Sequence, residues 1–231
     1  MLHFVLVEPA VPENVGAAAR AIKTMGFSHL WVVNSSAHLQ KPARILAHGS
    51  NDILDQVRVF PDLAAVRAEV DLMVGTSAKP RHQREVLLAP EALRDNLLAK
   101  AGSVSRVALV FGREESGLHG PEIALCDLLT SIPLATPYPS LNLAQSVMLY
   151  AYALSQLQQE KVIKAAAPDQ YAALREKCSQ LLQAVGYAPD EKLYQWLMER
   201  LPMLDGRSIG FAHHLVDKLK QQFARTDESG R

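Results

Sequence analysis

Three polar segments carry residue types that could do chemistry, and each lies beyond an apolar run. They are Asn14-Val15-Gly16 with Arg20, then Gly112-Arg113-Glu114-Glu115-Ser116-Gly117, then Ser140-Leu141-Asn142-Leu143. Asn and Ser supply neutral donors and acceptors, Glu an anion, and Arg a cation that stays protonated. Gly lets the backbone approach a ligand closely. A further group, Lys79, Arg81 and Arg84, is the densest basic cluster in the chain and suits contacts to phosphate. Each group also has a plainer reading. Residues 112–117 equally make an ordinary polar turn, and Arg20 a solvated helix residue. Lys79, Arg81 and Arg84 equally make a solvated loop, and Ser140 or Asn142 an N-cap.

The elements that must hold these segments read as strands alternating with helices. Val107–Phe111 (VALVF) is short and wholly apolar, the signature of a strand buried on both faces in a parallel sheet. Leu2–Val7, His29–Val33, Val57–Phe60, Asp71–Gly75 and Leu128–Ile132 read as further strands. Helices are predicted from Pro12 to Met25, with Gly26 beyond its end, and over 42–47, 62–68, 90–100, 121–124 and 142–162. The stretch 48–52 reads as a polar turn, and 133–141, with three prolines, as irregular. This alternation predicts an α/β fold with a mostly parallel sheet. Ligands in such sheets bind beyond the carboxyl ends of strands, where 112–117 lies and where Thr76, Ser77 and Ala78 follow another strand.

The chain has 231 residues, 48% of them hydrophobic, with 24 basic and 24 acidic side chains. Balanced charge means that any footprint for nucleic acid must be local. Two cysteines, Cys126 and Cys178, exclude a disulfide framework and fit a reducing compartment. No C-x-x-C or H-E-x-x-H occurs, so no zinc or other metal site is expected. The pair His213-His214 reads as helix surface. G-x-G-x-x-G after the first strand, G-x-x-x-x-G-K-[ST] and G-x-S-x-G are all missing, which argues against a dinucleotide fold, a P-loop and a serine hydrolase. The amino end lacks the basic and long apolar parts of a signal peptide, and no stretch has membrane-spanning length. A cytoplasmic protein is expected.

The pattern changes after Lys164. Residues 165–168 read as a linker, and three helical segments follow without a strand signal. Tyr171, Leu174, Cys178, Leu181, Leu182 and Val185 share one apolar face. Leu193, Trp196, Leu197 and Leu201 share the next, and Ile209, Val216, Leu219 and Phe223 the last. Trp196 reads as a core residue, with an interface anchor as the alternative. Two domains are expected, over 1–164 and 165–231.

Taken together, in their order and spacing, the three polar segments resemble the SPOUT superfamily of RNA methyltransferases. The likeness covers residues 2 to about 160. VGTSA (74–78) and KTMG (23–26) resemble the TrmJ type within the TrmH/TrmJ branch, the helical tail is similar to the carboxyl-terminal extension of that type, and the chain bears a closer likeness to the LasT-type tRNA/rRNA methyltransferases. The resemblance implies an α/β domain ending in a deep trefoil knot, followed by an all-helical extension. It implies S-adenosylmethionine as cofactor and a homodimer in which Arg20 of one subunit reaches the donor bound by the other. The reaction implied is ribose 2′-O-methylation of tRNA. An rRNA 2′-O-methyltransferase and an RNA-binding module without turnover are the alternatives, and a chance match of loops on an unrelated α/β protein is the third. By motif match, cofactor contacts would come from Thr76, Ser77, Ala78, Gly112, Glu114, Ile132, Leu134, Pro139, Ser140 and Leu141. Arg20, Ser140 and Asn142 would be catalytic. Asn14, Arg20, Lys79, Arg81, Arg84 and Arg113 would face RNA. Lys-Pro-Arg at 79–81 departs from the arginine-rich form of the TrmJ type, which bears on the choice of RNA.

Overall fold

A computed structural model describes residues 1–77, 87–100, 103–136, 138, 140–159 and 170–229. The strands are β1 (Leu2–Val7), β2 (Leu30–Val33), β3 (Arg58–Phe60), β4 (Leu72–Thr76), β5 (Leu87–Leu88), β6 (Val107–Phe111) and β7 (Leu128–Thr130). They form one seven-stranded sheet in the order β3-β2-β1-β6-β4-β7-β5. Every pairing is parallel, including Phe4 with Leu109 and Val74 with Leu109. All five residues of β6 and all six of β1 are buried, as central strands covered on both faces must be.

The helices that follow are α1 (Pro12–Thr24), α2 (Lys41–Ala47), α3 (Asn51–Asp55), α4 (Leu63–Arg67), α5 (Pro90–Ala99), α6 (Gly120–Ala124), α7 (Leu143–Leu154) and α8 (Gln156–Gln159). α1 starts on Pro12 at its first turn, carries Glu13 there and Lys23 in its last turn, and is rich in Ala. Gly16 sits where α1 crosses α2. A Cβ there would lie 2.0 Å from the carbonyl oxygen of Ala43, so only glycine permits this approach. One sheet face packs Val5, Val7, Val33, Phe60, Met73 and Val110 against Leu63, Leu118 and Ile123. On the other face, Phe111 stacks with Phe4 and meets Tyr150 of α7 edge-on at 5.7 Å. Among the described residues no helix is long and apolar enough to cross a membrane.

The described chain divides into two compact units. The first comprises Met1–Leu98 and Arg106–Ile163, the second Ala99–Ser105 and Lys164–Arg231. The second is built from α9 (Gln170–Ala184), α10 (Lys192–Arg200) and α11 (Gly206–Ser229). Tyr171, Leu174, Cys178, Ile209 and Val216 are buried within it. Lys100 is also buried there, 1% exposed, and its Nζ donates to the Leu204 carbonyl at 2.8 Å. Burial pushes this amine down to about 8, against a smaller upward pull from Asp205. Trp196 corrects the sequence reading, being 51% exposed rather than in the core. α10 buries none of its residues, and Leu193, Leu219, Phe223 and Val185 are exposed as well. The expected linker at 165–168 lies outside the described residues.

Candidate functional site

The site is built where β6 ends. Phe111 runs into a tight hairpin in which Arg113 N–H donates to Gly117 O at 3.2 Å and Gly117 N–H returns to Arg113 O at 2.9 Å. A Cβ on Gly112 would lie 2.1 Å from the carbonyl carbon of Gly117, and Gly117 itself has φ +67°. Both glycines are therefore demanded by the hairpin. Two of its charged residues bond to different elements: Arg113 to Glu8 beyond β1 and to Glu122 in the first turn of α6, Glu114 to the start of α1.

Glu114 performs a task that α1 lacks locally. Val11 precedes the helix and offers no side-chain cap. Glu114 accepts from Ala10 N–H at 3.1 Å, from Val11 N–H at 3.3 Å and from Asn14 Nδ2 at 3.0 Å. Burial alone would raise its pKa, but these hydrogen bonds to the anion outweigh burial and hold it below the usual range. A carboxylate at a helix start also complements the helix dipole.

Asn14 passes the connection on. Its Oδ1 accepts from Asn142 Nδ2 at 2.8 Å. Asn142 caps α7, with Oδ1 accepting from Ala144 N–H at 2.8 Å and its own N–H donating to Gln145 Oε1 at 3.0 Å. The N-cap reading of Asn142 is thus correct, and its amide hydrogen still serves the site. Glu114, Asn14 and Asn142 form one hydrogen-bonded chain joining all three polar segments. Ser140 is exposed just ahead of Asn142, with Leu141 half-buried between them.

Arg113, expected from the resemblance to face RNA, bonds two carboxylates. Its Nε donates to Glu8 Oε2 at 2.7 Å, and Nη1 and Nη2 reach the two oxygens of Glu122, each at 3.0 Å. Glu8 also accepts from Asn34 Nδ2 at 3.0 Å. Arg113 and then Asn34 hold the Glu8 carboxyl down to about 2. Glu122 starts α6 and accepts from His119 N–H at 2.7 Å. Burial would raise its pKa, yet the bonds from Arg113 and His119 keep it lowered. Glu8 adopts a left-handed backbone, φ 45°, at the exit of β1. Sequence reasoning left Glu8, Asn34 and Glu122 unassigned. Their only signal is position, two of them directly following strands and the third opening the helix after the hairpin.

The other expected contacts cluster at neighbouring strand ends. Thr76 Oγ1 donates to Val110 O at 3.0 Å, and Ser77 N–H donates to Thr130 O at 2.9 Å. These bonds bring the ends of β4, β6 and β7 side by side. Ile132 is half-buried beyond β7, and Leu134 is exposed. Arg20 is exposed on α1, away from the buried side that carries Asn14. Its neighbour on that face, Lys23, pairs with Asp52 at 2.6 Å. Ala78, Lys79, Arg81, Arg84 and Pro139 lie outside the described residues.

The family model for the SpoU rRNA methylase family matches residues 1–152. The chain belongs to the SpoU rRNA methylase family. Residues 168–223 further match the C-terminal domain of the tRNA/rRNA methyltransferase LasT. A SpoU relative, the uncharacterized tRNA/rRNA methyltransferase LasT of Escherichia coli, is 45% identical over 97% of this chain and 99% of its own. The tRNA (cytidine/uridine-2′-O-)-methyltransferase TrmJ of Salmonella typhimurium is 38% identical over 65% of this chain and 62% of its own. The crystal structure of TrmJ from Z. mobilis superposes with a TM-score of 0.65 at 26% identity, covering 95% of this chain and 99% of that one. SpoU membership makes this chain an RNA methyltransferase.

Proposed function

We propose that this chain transfers a methyl group from S-adenosylmethionine to a ribose 2′-hydroxyl of tRNA. The observation that carries the reading is the chain Glu114–Asn14–Asn142, which gathers the three polar segments at the carboxyl ends of a parallel sheet. The cofactor belongs to the family, and the residues at the ends of β4, β6 and β7 fit it. They offer hydroxyls, backbone groups and the apolar side chain of Ile132, suited to an adenine and a small cation with no phosphate to cradle.

When bound, this cofactor supplies an electrophilic methyl carbon on a sulfonium. The chain's residues hold and polarise the acceptor. Thr76, Ser77, Ala78, Gly112, Ile132, Leu134, Pro139, Ser140 and Leu141 line the donor's cradle. Glu114, whose oxygens are engaged with α1, acts there by fixing the hairpin. Ser140 and Asn142 orient the 2′-hydroxyl. An arginine guanidinium is too weak an acid to act as a base, so Arg20 serves as a cation that binds an adjacent phosphate and stabilises the developing oxyanion. The proton passes to phosphate or water. By holding the acceptor hydroxyl in one orientation, Ser140 and Asn142 would supply much of the rate enhancement. Lys79, Arg81 and Arg84 hold the RNA backbone, and the 2′-hydroxyl acceptor itself selects RNA over DNA.

The proposal includes a trefoil knot made by the segment after β7, and a helical extension over 165–231. It also includes a homodimer in which Arg20 of one protomer completes its partner's site. Exposed Met148, Leu149 and Tyr152 on α7 support such an association. The enzyme works in the cytoplasm without a metal.

The test is transfer of labelled methyl from S-adenosylmethionine to bulk tRNA and, separately, rRNA from a strain lacking the protein, followed by nucleoside analysis. A labelled 2′-O-methylnucleoside from tRNA is expected. Label in rRNA alone changes the substrate. Cofactor binding with no transfer to either favours a binding module. Arg20→Ala should lower turnover by about 10²-fold or more with cofactor affinity kept.

A further inference from the structure

Resting on that reading, we infer that Glu8 and Glu122 are positioning residues, which clamp Arg113 from two sides so that Glu114 is held against α1 and the Asn14–Asn142 pair is set for the acceptor. The geometry is specific. One guanidinium meets two carboxylates, one of them bidentately, and its side chain is only 18% exposed. Glu8 comes from the exit of β1, Arg113 from the exit of β6, and Glu122 from α6. Asn34, at the exit of β2, extends the tie through Glu8. The next residue after Arg113 is Glu114, whose three bonds fix the start of α1. The hairpin is therefore pinned on both sides. A bidentate arginine–carboxylate pair fixes angle as well as distance, which a single lysine contact would not.

This assignment makes Arg113 unavailable to RNA phosphate, and so separates two kinetic outcomes. If the clamp positions the site, Glu122→Gln should lower kcat about tenfold, the scale on which small misplacements act. The KM for RNA should stay the same or fall, because negative charge is removed and a guanidinium is partly released. Glu8→Gln should act in the same direction. Arg113→Gln should lower kcat at least as much and leave the salt dependence of RNA KM unchanged. Were Arg113 on phosphate, its loss would instead raise KM and lower the salt slope by about 1. Gln at 122 keeps an acceptor for His119 N–H, and thermal melting confirms that each variant is folded.

A second measurement is independent of turnover. Amide hydrogen exchange at Ala10 and Val11, whose N–H groups bond Glu114, should quicken at least about tenfold in Glu122→Gln. Unchanged exchange overturns the clamp whatever the activity. Wild-type kcat in Glu122→Gln and Arg113→Gln overturns its role in positioning, as does a raised KM with a reduced salt slope. A parent enzyme that methylates neither tRNA nor rRNA overturns the proposed function instead, and the exchange result still decides whether the clamp exists.

Discussion

The two compact units are held in different ways. At the carboxyl ends of the first unit's sheet, polar side chains are fixed by other polar side chains a hundred or more positions away, as Asn14 is by Glu114 and Asn142. In the helical unit, apolar stripes do the holding, and a good part of them faces solvent. Buried polar networks specify one geometry because each partner lost leaves another unsatisfied. Apolar faces tolerate substitution and accept new neighbours. The difference fits a unit that must place atoms and a unit that presents surface.

Glu114→Ala is the strongest way to break this comparison. It removes the acceptor for two backbone N–H groups and one amide, and should cost about 1–3 kcal/mol in denaturant unfolding together with most of the methyl transfer. A loss below about 0.5 kcal/mol would mean that the polar ties are no firmer than ordinary surface contacts.

Lys100 sharpens it from the other side, as the buried charge of the helical unit. Burial holds its folded pKa down to about 8, below the usual 10.5 of a lysine, so the unfolded chain binds this proton more tightly. Stability of the unit should therefore rise as pH increases between these values, by about 1–3 kcal/mol. Lys100→Met should flatten that rise, read by urea midpoints across the same pH range.

Trp196→Ala should have the smallest effect. With half its surface exposed, its removal should cost no more than about 1 kcal/mol of stability. A much larger cost, or a change in association state by sedimentation, would show that this face is covered in solution.

The strands were legible because β1, β4 and β6 are short apolar runs whose burial leaves little choice. Leu87–Leu88 was missed, since a two-residue strand has no period to detect. Asn51–Asp55 begins within the stretch 48–52 that reads as a polar turn, yet Ile53 and Leu54 are buried and hold one short helix. The long helix expected over 142–162 is interrupted at Ser155, whose hydroxyl bonds back to Tyr152 O at 2.8 Å. At the site, the chemistry-bearing residues were legible and their partners were not. Glu8 meets Arg113 across 105 positions of chain, and only the strand register brings them together. Trp196 was misread because an amphipathic pattern marks a face without saying what covers it.

The order of strands also bears on how the chain is made. β1 lies centrally, with β2 on one edge and β6 on the other. Its partner for Leu2 is Val107, so one edge of β1 stays open until β6, some hundred residues later, has left the ribosome. At about 5–20 residues per second, that interval lasts several seconds. Non-local pairing of this kind slows folding, and an open strand edge is a template for the wrong neighbour. The same architecture that gathers three distant segments into one site thus gives the nascent chain a prolonged dependence on protection.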